Sequence, residues 1–362
     1  MRSRCFLLLL GLLTAFAASP GRAGEGNGVA GQRPGDAGAL PPRFREITPE
    51  LEQAVQGGLR FLAGAQKRDG SWRGGDYPVA VTALCGLAFL ATGSTPAGGE
   101  HAQTVREAIT YLRRRQQRSG LFAEAGGSRP MYGHGFTLLF LAECCGMTAR
   151  ETSLSRSARE EERDIRKRLR AAVRLIEESR SVDGGWYYTP GSGEDEGSVT
   201  ITQIQGLRAA RNAGIYVPKV VIDGATDYVR RSQDPDGGVR YTVHYGRSSL
   251  ALTAAGLAVL FGAGDYDSRH VALASGYVRA HLGDAGPSGP HFYYTQLYAA
   301  QAMFQLGGTD WETYFPRIRE ELLARRSRRG GSWDSNYGRP YATAIAILVL
   351  SLPYRYLPSF AR

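Results

Sequence analysis

Hydrophobic residues along most of the chain follow two alternating helical patterns. In the first, apolar positions recur every three or four residues with polar residues between them, as in Leu51, Val55, Leu59 and Leu62. That spacing predicts an amphipathic helix with one buried face. The second pattern is apolar on nearly all sides, which predicts a helix buried on both faces. It covers six segments, residues 80–91, 136–146, 199–210, 250–262, 294–306 and 341–352.

A short motif links each amphipathic segment to the apolar segment that follows it. The best copy is Leu62-x3-Gln66-x3-Gly70-x-Trp72, an aliphatic residue, a polar residue, a glycine and an aromatic residue. A period of this size, about 50 residues, is typical of repeat architectures. The copies weaken along the chain, and the fifth keeps only the spacing. The corresponding glycines are at positions 120, 184, 237, 286 and 331.

Six hairpins, each with a one-sided helix followed by a two-sided helix, bury all of their apolar faces if they close into a ring. The sequence therefore predicts an all-α fold over residues 47–362, an (α/α)6 barrel or α/α toroid with the apolar helices inside. An open solenoid of helix pairs is the alternative, but an open array needs polar caps at its ends. The last repeat runs into Ile347-Leu348-Val349-Leu350 without such a cap, which favours closure.

The N-terminal residues have the pattern of a secretory signal peptide. Arg2 and Arg4 precede the apolar run from Phe6 to Ala18, and small residues follow it. A membrane anchor is the alternative, but the run is shorter than the roughly 20 residues that a spanning helix needs. We expect residues 1–23 to be removed and the protein to be exported, to a periplasm or outside the cell. Residues 24–46, rich in Gly, Pro and Ala, predict a flexible leader.

Charge and cysteine content exclude two classes of protein. The net charge is +10, but basic and acidic residues are interspersed and no basic stripe with interleaved aromatic residues appears, so no nucleic-acid partner is expected. Export would leave Cys85, Cys144 and Cys145, an odd number that predicts no disulfide framework. The adjacent Cys144 and Cys145 could be oxidised in an oxidising compartment.

The motif copies resemble the "QW" repeats of the terpenoid cyclase and protein prenyltransferase superfamily, which includes the squalene and hopene cyclases. The resemblance extends from Thr48 to the C-terminus and implies a single helical toroid. It also implies that residues such as Gln66 and Trp72 clamp each loop against the neighbouring repeat. The glycines would end each outer helix in the left-handed conformation.

The chemistry implied by the resemblance does not transfer directly. Squalene and hopene cyclases resemble two such barrels in tandem and protonate their substrate through an Asp-x-Asp-Asp-Thr motif, which this chain lacks. The nearest run is Glu194-Asp195-Glu196, at the start of an inner helix, and it makes Asp195 a candidate acid. A mobile acidic loop that caps this helix is the alternative. The prenyltransferase zinc motif, Asp-x-Cys, is also absent, so no metal and no cofactor are expected.

Polar and aromatic residues concentrate in the loops that precede the inner helices. Because all inner helices of a closed ring run in the same direction, these loops should gather at one mouth of the barrel. They comprise residues 76–77, 132–134, 195, 241–247, 291–294 and 337–341. The candidate ligand-binding residues are Tyr132, His134, His244, Tyr245, Arg247, His291, Tyr293, Tyr294 and Tyr337.

Three interpretations of this mouth remain open. It could be a packed rim whose hydroxyl and imidazole groups satisfy the loop backbone. It could be a pocket for a lipophilic or isoprenoid-like molecule, with a head group that is anionic or bears a carbonyl. A histidine metal site is the least favoured, because the three histidines come from separate loops without short ligand spacing.

The sequence thus predicts an exported toroid that binds a polyprenyl or other lipophilic small molecule, with or without converting it. Peripheral contact with a membrane is compatible with such a ligand. The alternative is a non-catalytic toroid that interacts with a protein or a polysaccharide. A deep apolar cavity would favour the first function, and an interior filled with side chains would favour the second.

Overall fold

The computed structural model describes residues 46–148, 155–283, 291–327 and 330–360. The predicted signal peptide, and the predicted leader up to residue 45, lie outside these residues. The described residues form twelve α-helices. In chain order, α1 to α12 are Pro49–Ala65, Pro78–Leu90, Ala102–Arg114, Pro130–Thr148, Arg156–Glu178, Gly197–Asn212, Lys219–Arg231, Leu250–Gly262, Arg269–His281, Phe292–Leu306, Gly308–Arg325 and Arg339–Leu350.

Odd-numbered helices are amphipathic and even-numbered helices are buried nearly all round. Helix α1 begins after Thr48, whose Oγ1 accepts a hydrogen bond of 3.2 Å from the Leu51 amide, and Pro49 occupies its first turn. Its buried residues form one stripe. In α2, by contrast, every residue from Val79 to Leu90 is buried. The two hydrophobic patterns of the sequence therefore correspond to outer and inner helices.

The even-numbered helices close into a ring. Each packs against the next one along the chain, and α12 packs against α2. The odd-numbered helices pack on the outside of this ring, so the fold is an α/α toroid and the sequence-based prediction of the fold is confirmed. None of the described helices is both long enough and apolar enough to cross a membrane.

The repeat glycines permit close packing between successive outer helices. Gly70, Gly120, Gly184 and Gly237 have φ angles of +90°, +96°, +95° and +96°, a conformation that favours glycine. A Cβ atom on Gly70 would also lie only 2.2 Å from the Glu107 carbonyl oxygen in α3. The fifth repeat glycine, at position 286, lies outside the described residues.

The polar and aromatic motif residues hold each loop in place. Gln66 Nε2 donates to the carbonyl oxygens of Gly70 and of Thr104 in α3, both at 3.0 Å. Trp72 Nε1 donates to the Leu62 carbonyl at 2.7 Å. The amides of Gln116 and Gln233, and the indoles of Trp186 and Trp333, make equivalent bonds in other repeats. The clamp that the resemblance implied is therefore present.

The third outer helix, α5, is the longest outer helix among the described residues, and its first turns are rich in Arg and Glu. Helix α5 begins at Arg156, with Ser155 as its N-cap. Asp164 accepts from Arg113 Nη2 at 2.7 Å and from Arg168 Nε at 2.8 Å. These charges join α5 to α3, because Arg113 belongs to the preceding outer helix. Residues 149–154 lie outside the described residues.

The C-terminal segment covers the barrel at the C-terminal ends of the inner helices. Arg208 Nη1 in α6 donates to the Ser359 carbonyl at 3.3 Å, and the Ser359 amide donates to Glu143 Oε1 in α4 at 3.1 Å. Gln305 Nε2 in α10 donates to the Phe360 carbonyl at 3.5 Å. The cavity described below lies at the opposite ends of the same helices.

Candidate functional site

A cavity of about 640 Å³ lies where the inner helices begin. Its volume falls within the range of roughly 300–1,000 Å³ that is usual for small-molecule sites. All six inner helices contribute a residue from their first two turns, for example Val81 in α2 and Leu252 in α8. The mouth that the sequence predicted is thus the entrance to a cavity.

Aromatic side chains dominate the cavity wall. Tyr77 and Tyr132 meet edge to face with ring centroids 6.1 Å apart, and the Tyr132 and Tyr188 centroids are 5.9 Å apart. The Tyr188 and Tyr241 hydroxyls are hydrogen-bonded to each other. Because these hydroxyls have partners in the wall, the rings can offer their apolar surfaces to a ligand. The nine aromatic wall residues are Tyr77, Tyr132, Phe136, Tyr188, Tyr241, Phe292, Tyr294, Tyr337 and Tyr341.

A buried carboxyl group, Glu196, lies directly behind this wall. It caps α6, accepting from the Val199 amide at 2.7 Å and the Ser198 amide at 2.9 Å. Ser198 Oγ also donates to it at 2.8 Å and lies 2.5 Å from the Tyr132 hydroxyl oxygen. Burial raises the pKa of Glu196, while these hydrogen bonds oppose the rise. Burial and the Glu196 charge together hold the pKa of Tyr132 well above its usual range.

Two basic side chains lie at the rim of the cavity. The Arg129 guanidinium carbon is 4.6 Å from the centre of the Tyr188 ring, a cation–π contact. His291 stacks on Tyr337 with ring centroids 6.5 Å apart. Both basic side chains are exposed. Among the described residues that line the cavity, none is Asp or Glu.

Helix N-termini add partial positive charge to this end of the barrel. Glu196 and Ser249 cap α6 and α8 with their side chains. The residues at the N-cap positions of α2 and α10, Tyr77 and His291, make no side-chain cap hydrogen bond. Gly338, at the N-cap position of α12, makes none either. In the described part of the chain, the helix starts without a side-chain cap therefore include those of α2, α10 and α12. No group of three or more His, Cys, Asp or Glu side chains suited to a metal ion occurs among the described residues.

No protein-family model matches the chain. Over 191 residues, which is 52% of the chain, it is 29% identical to drimenyl diphosphate synthase from Streptantibioticus cattleyicolor. The match spans only 32% of that protein's length. Among solved structures, a variant of the type II terpene cyclase MstE from Scytonema, bound to merosterolic acid A, has a TM-score of 0.58 and 16% identity. It covers 88% of this chain and 99% of its own.

The chain therefore shares the α/α toroid fold of the type II terpene cyclase MstE. A protein from Actinoplanes has the same fold, with a TM-score of 0.57, 17% identity, and coverage of 86% of this chain and 100% of its own. An α-1,6-mannanase from Salegentibacter also scores 0.57, at 8% identity, covering 84% of this chain and 99% of its own. Because a carbohydrate-acting enzyme shares the toroid, the fold alone does not identify the function.

Four of the residues that the sequence singled out line the cavity of the toroid. Tyr132, Tyr294 and Tyr337 lie in its wall, and His291 lies at its rim, stacked on Tyr337. The remaining candidates lie elsewhere, for reasons that differ from residue to residue.

His134 has a structural environment and does not line the cavity. Its side chain is completely buried. Nδ1 accepts a hydrogen bond of 3.1 Å from the Phe122 amide, and Nε2 lies 3.3 Å from the Ala172 carbonyl oxygen. In four other repeats a threonine accepts the corresponding amide bond, so His134 replaces a repeat threonine. These threonines are Thr82, Thr200, Thr253 and Thr343.

Most of the candidate residues in the loop at residues 241–247 lie away from the cavity. His244 is exposed and its Nε2 lies 2.9 Å from Asp183 Oδ2. Tyr245 is 62% exposed and packs against Tyr241, with centroids 6.4 Å apart. Arg247 is exposed as well. From this loop only Tyr241 reaches the cavity wall.

Tyr293 and Asp195 also lie outside the cavity lining. Tyr293 is buried edge-on against Phe292, with centroids 5.2 Å apart. The Asp195 carboxylate accepts a hydrogen bond of 2.7 Å from Ser181 Oγ, which in turn accepts from the Gly185 amide. Asp195 therefore stabilises the loop between α5 and α6, and the neighbouring Glu196 is the carboxyl group next to the cavity.

Several residues of the cavity were not singled out from the sequence. Arg129, Phe136 and Tyr188 are the clearest examples. Phe136 is the seventh residue of α4, and Leu84 is the seventh of α2, so both follow the helix start by the same number of residues. The shared position of Phe136 and Leu84 relative to the helix start could have identified both from the sequence. The positions of Tyr188 and Arg129 in the cavity depend on the path of the loops, which the sequence does not show.

Proposed function

We propose that the toroid binds a polyprenyl or similarly lipophilic small molecule in its aromatic cavity. The observation that carries this proposal is the wall, where nine aromatic rings and aliphatic residues such as Leu84 and Leu250 surround about 640 Å³. Transfer of an apolar chain from water to such a wall is favourable by roughly 25 cal/mol per Å² of buried apolar surface. An interior filled with side chains, which would favour the alternative function, is not found at this end of the barrel.

The rim of the cavity supports an anionic or carbonyl-bearing head group. Arg129 and His291 are the basic residues there, and the uncapped starts of α2 and α10 offer backbone N–H groups. Glu196 is shielded behind Tyr132 and Ser198, so a cation in the cavity would find no exposed carboxylate among the described lining residues. The apolar tail would then extend into the barrel.

Structural neighbours support the same ligand class. The structures of the type II terpene cyclase MstE include complexes with the product merosterolic acid A and with the substrate geranylgeranyl dihydroxybenzoate. Carbohydrate chemistry has less support, because glycoside hydrolysis usually needs a pair of carboxyl groups at the bond that is cleaved. The cavity lining within the described residues provides no such pair.

Calorimetric titration of the purified protein tests the proposal. Farnesol, farnesoic acid and a malto-oligosaccharide would be titrated separately, and mass spectrometry of the mixtures afterwards would show whether either isoprenoid is converted. We expect saturable binding of the isoprenoids, tighter for the acid, and no heat with the sugar. Saturable binding of the oligosaccharide alone would refute the proposal.

We further propose that the protein acts outside the cytoplasm. The support is the pattern of Arg2, Arg4 and the apolar run from Phe6 to Ala18. N-terminal sequencing of the mature protein from its native host should begin near residue 24. A mature protein that begins at Met1 would contradict this.

A further inference from the structure

We infer that the floor of the cavity, formed by Tyr298 above a hydrogen-bonded Gln205–Gln301 pair, sets the length of chain that the cavity accepts. The inference rests on the proposed binding function and adds its specificity determinant.

Tyr298 lies immediately below a residue of the cavity wall. Tyr294 lines the cavity, and Tyr298 follows it by one turn of α10 on the same face. The two rings meet at 71° with centroids 4.9 Å apart. The side chain of Tyr298 is completely buried. Its ring therefore occupies the space into which the cavity would otherwise continue.

The depth of the cavity differs from one side of the barrel to the other. On α2 the lining residues extend from the start of the helix to Leu84, its seventh residue, and on α4 they extend to Phe136, also the seventh. At 1.5 Å per residue, the six steps from Pro78 to Leu84 correspond to about 9 Å. On α10 the lining ends at the fourth residue, Thr295. On α6, α8 and α12 the lining ends earlier still, at Ser198, Leu252 and Tyr341. The shallow part of the cavity therefore spans four helices and includes the α10 side, which Tyr298 fills.

A polar layer lies below Tyr298. Gln205 Nε2 in α6 donates a hydrogen bond of 2.8 Å to Gln301 Oε1 in α10, and both side chains are buried. Since α8 lies between α6 and α10 in the ring, this bond crosses the barrel interior. Gln205 Oε1 has no hydrogen-bond partner among the described residues. An apolar chain end would gain little from contact with this amide layer.

The floor consequently defines a length limit. A chain that fits between the rim and the Tyr298 ring gains contact with each added isoprene unit, whereas a longer chain must fold back or leave its head group outside the rim. Replacing Tyr298 with Ala removes the ring and deepens the α10 side, with no change at the rim.

The test measures dissociation constants of the full-length protein for geraniol, farnesol, geranylgeraniol and geranylfarnesol. For the wild type we expect affinity to rise with chain length to one member of the series and then fall. In Tyr298→Ala the optimum should move to a longer alcohol. The ratio of the affinity for this longer alcohol to the affinity for the wild-type optimum should rise by about tenfold or more. Tyr298→Phe, which keeps the ring, should retain the wild-type profile.

Tyr314→Ala is the matched control, because it removes a buried tyrosine ring from the outer helix α11, away from the cavity lining. It should leave the length profile unchanged. If Tyr298→Ala does not fold, Tyr298→Leu provides a smaller change in the same direction. An unchanged optimum in a folded Tyr298 variant would overturn the floor inference alone. If no alcohol binds to the wild type, the proposed function itself fails.

Discussion

A Cβ atom on Gly331 would lie 3.0 Å from the backbone carbonyl group of Gly57. Gly331 belongs to the last repeat loop and Gly57 to the first outer helix, so this contact joins the two ends of the toroid. It corresponds to the contact between Gly70 and Glu107 in the first repeat. The ring is thus closed by the same packing that connects its other repeats.

Gly331→Ala should destabilise the protein. The substitution places a side chain at a φ of +63° and against Gly57, and we expect a loss of about 1–3 kcal/mol in the free energy of unfolding. Urea unfolding followed by circular dichroism measures this. The control is Gly64→Ala in α1, where a Cβ atom would have no neighbour within 4 Å. The control should be neutral or stabilising by up to about 1 kcal/mol.

Trp186 should contribute to stability and not to ligand binding. Its ring is completely buried and Nε1 donates to the Ile176 carbonyl at 2.7 Å. Trp186→Phe leaves that carbonyl without its donor and should cost about 1–3 kcal/mol, whereas Trp186→Ala should cost about 3–5 kcal/mol. Both are measured by urea unfolding beside farnesol titration. Unchanged stability with lost binding would reverse this assignment.

His134 should make stability depend on pH. Burial lowers its pKa to about 4 in the folded protein, against about 6.5 when unfolded. Between these values the unfolded chain binds a proton that the folded protein does not, so stability falls as the pH falls, by up to about 3 kcal/mol. His134→Thr, the residue of other repeats, should remove this contribution. Urea unfolding from pH 7 to pH 4.5 checks it, and equal slopes for both proteins would contradict it.

Filling the cavity should block binding without unfolding the protein. Ala251 lines the cavity in the first turn of α8, and Ala251→Trp adds an indole ring to that space. We expect farnesol affinity to fall at least about tenfold, or about 1.4 kcal/mol, with little change in the urea midpoint. Ala125→Trp, in an exposed loop, is the control and should bind like the wild type. Equal affinities for both variants would argue for a ligand site outside the barrel.

The fold was predictable because its signals repeat. The spacing of Leu51, Val55, Leu59 and Leu62 alone indicates a one-sided helix. The motif glycine recurs in all six copies, and tryptophan follows it two residues later in three of them. Closure of the ring was predicted because the last repeat ends in an apolar helix without a polar cap. The structure shows α12 packed against α2. Burial patterns of this kind depend on sequence spacing, which is visible without coordinates.

The site was predictable only as a region. The sequence indicated that the loops before the inner helices gather at one end, but not whether a side chain in such a loop points inward. His134 and Tyr132 are two residues apart, yet one is buried behind the loop and the other lines the cavity. The recurring threonines at positions 82, 200, 253 and 343 could have identified His134 as their counterpart. The exposure of Tyr245 depends on the local backbone of its loop, for which the sequence has no periodic signal.

The most direct test of ligand binding in the aromatic cavity is photo-crosslinking with a diazirine-bearing farnesol analogue, followed by peptide mass spectrometry. We expect the labels to concentrate on wall residues such as Tyr132, Leu250 and Tyr294, and we expect unlabelled farnesol to suppress the labelling. Labels confined to the outer helices, or labelling that farnesol does not reduce, would contradict binding in the cavity.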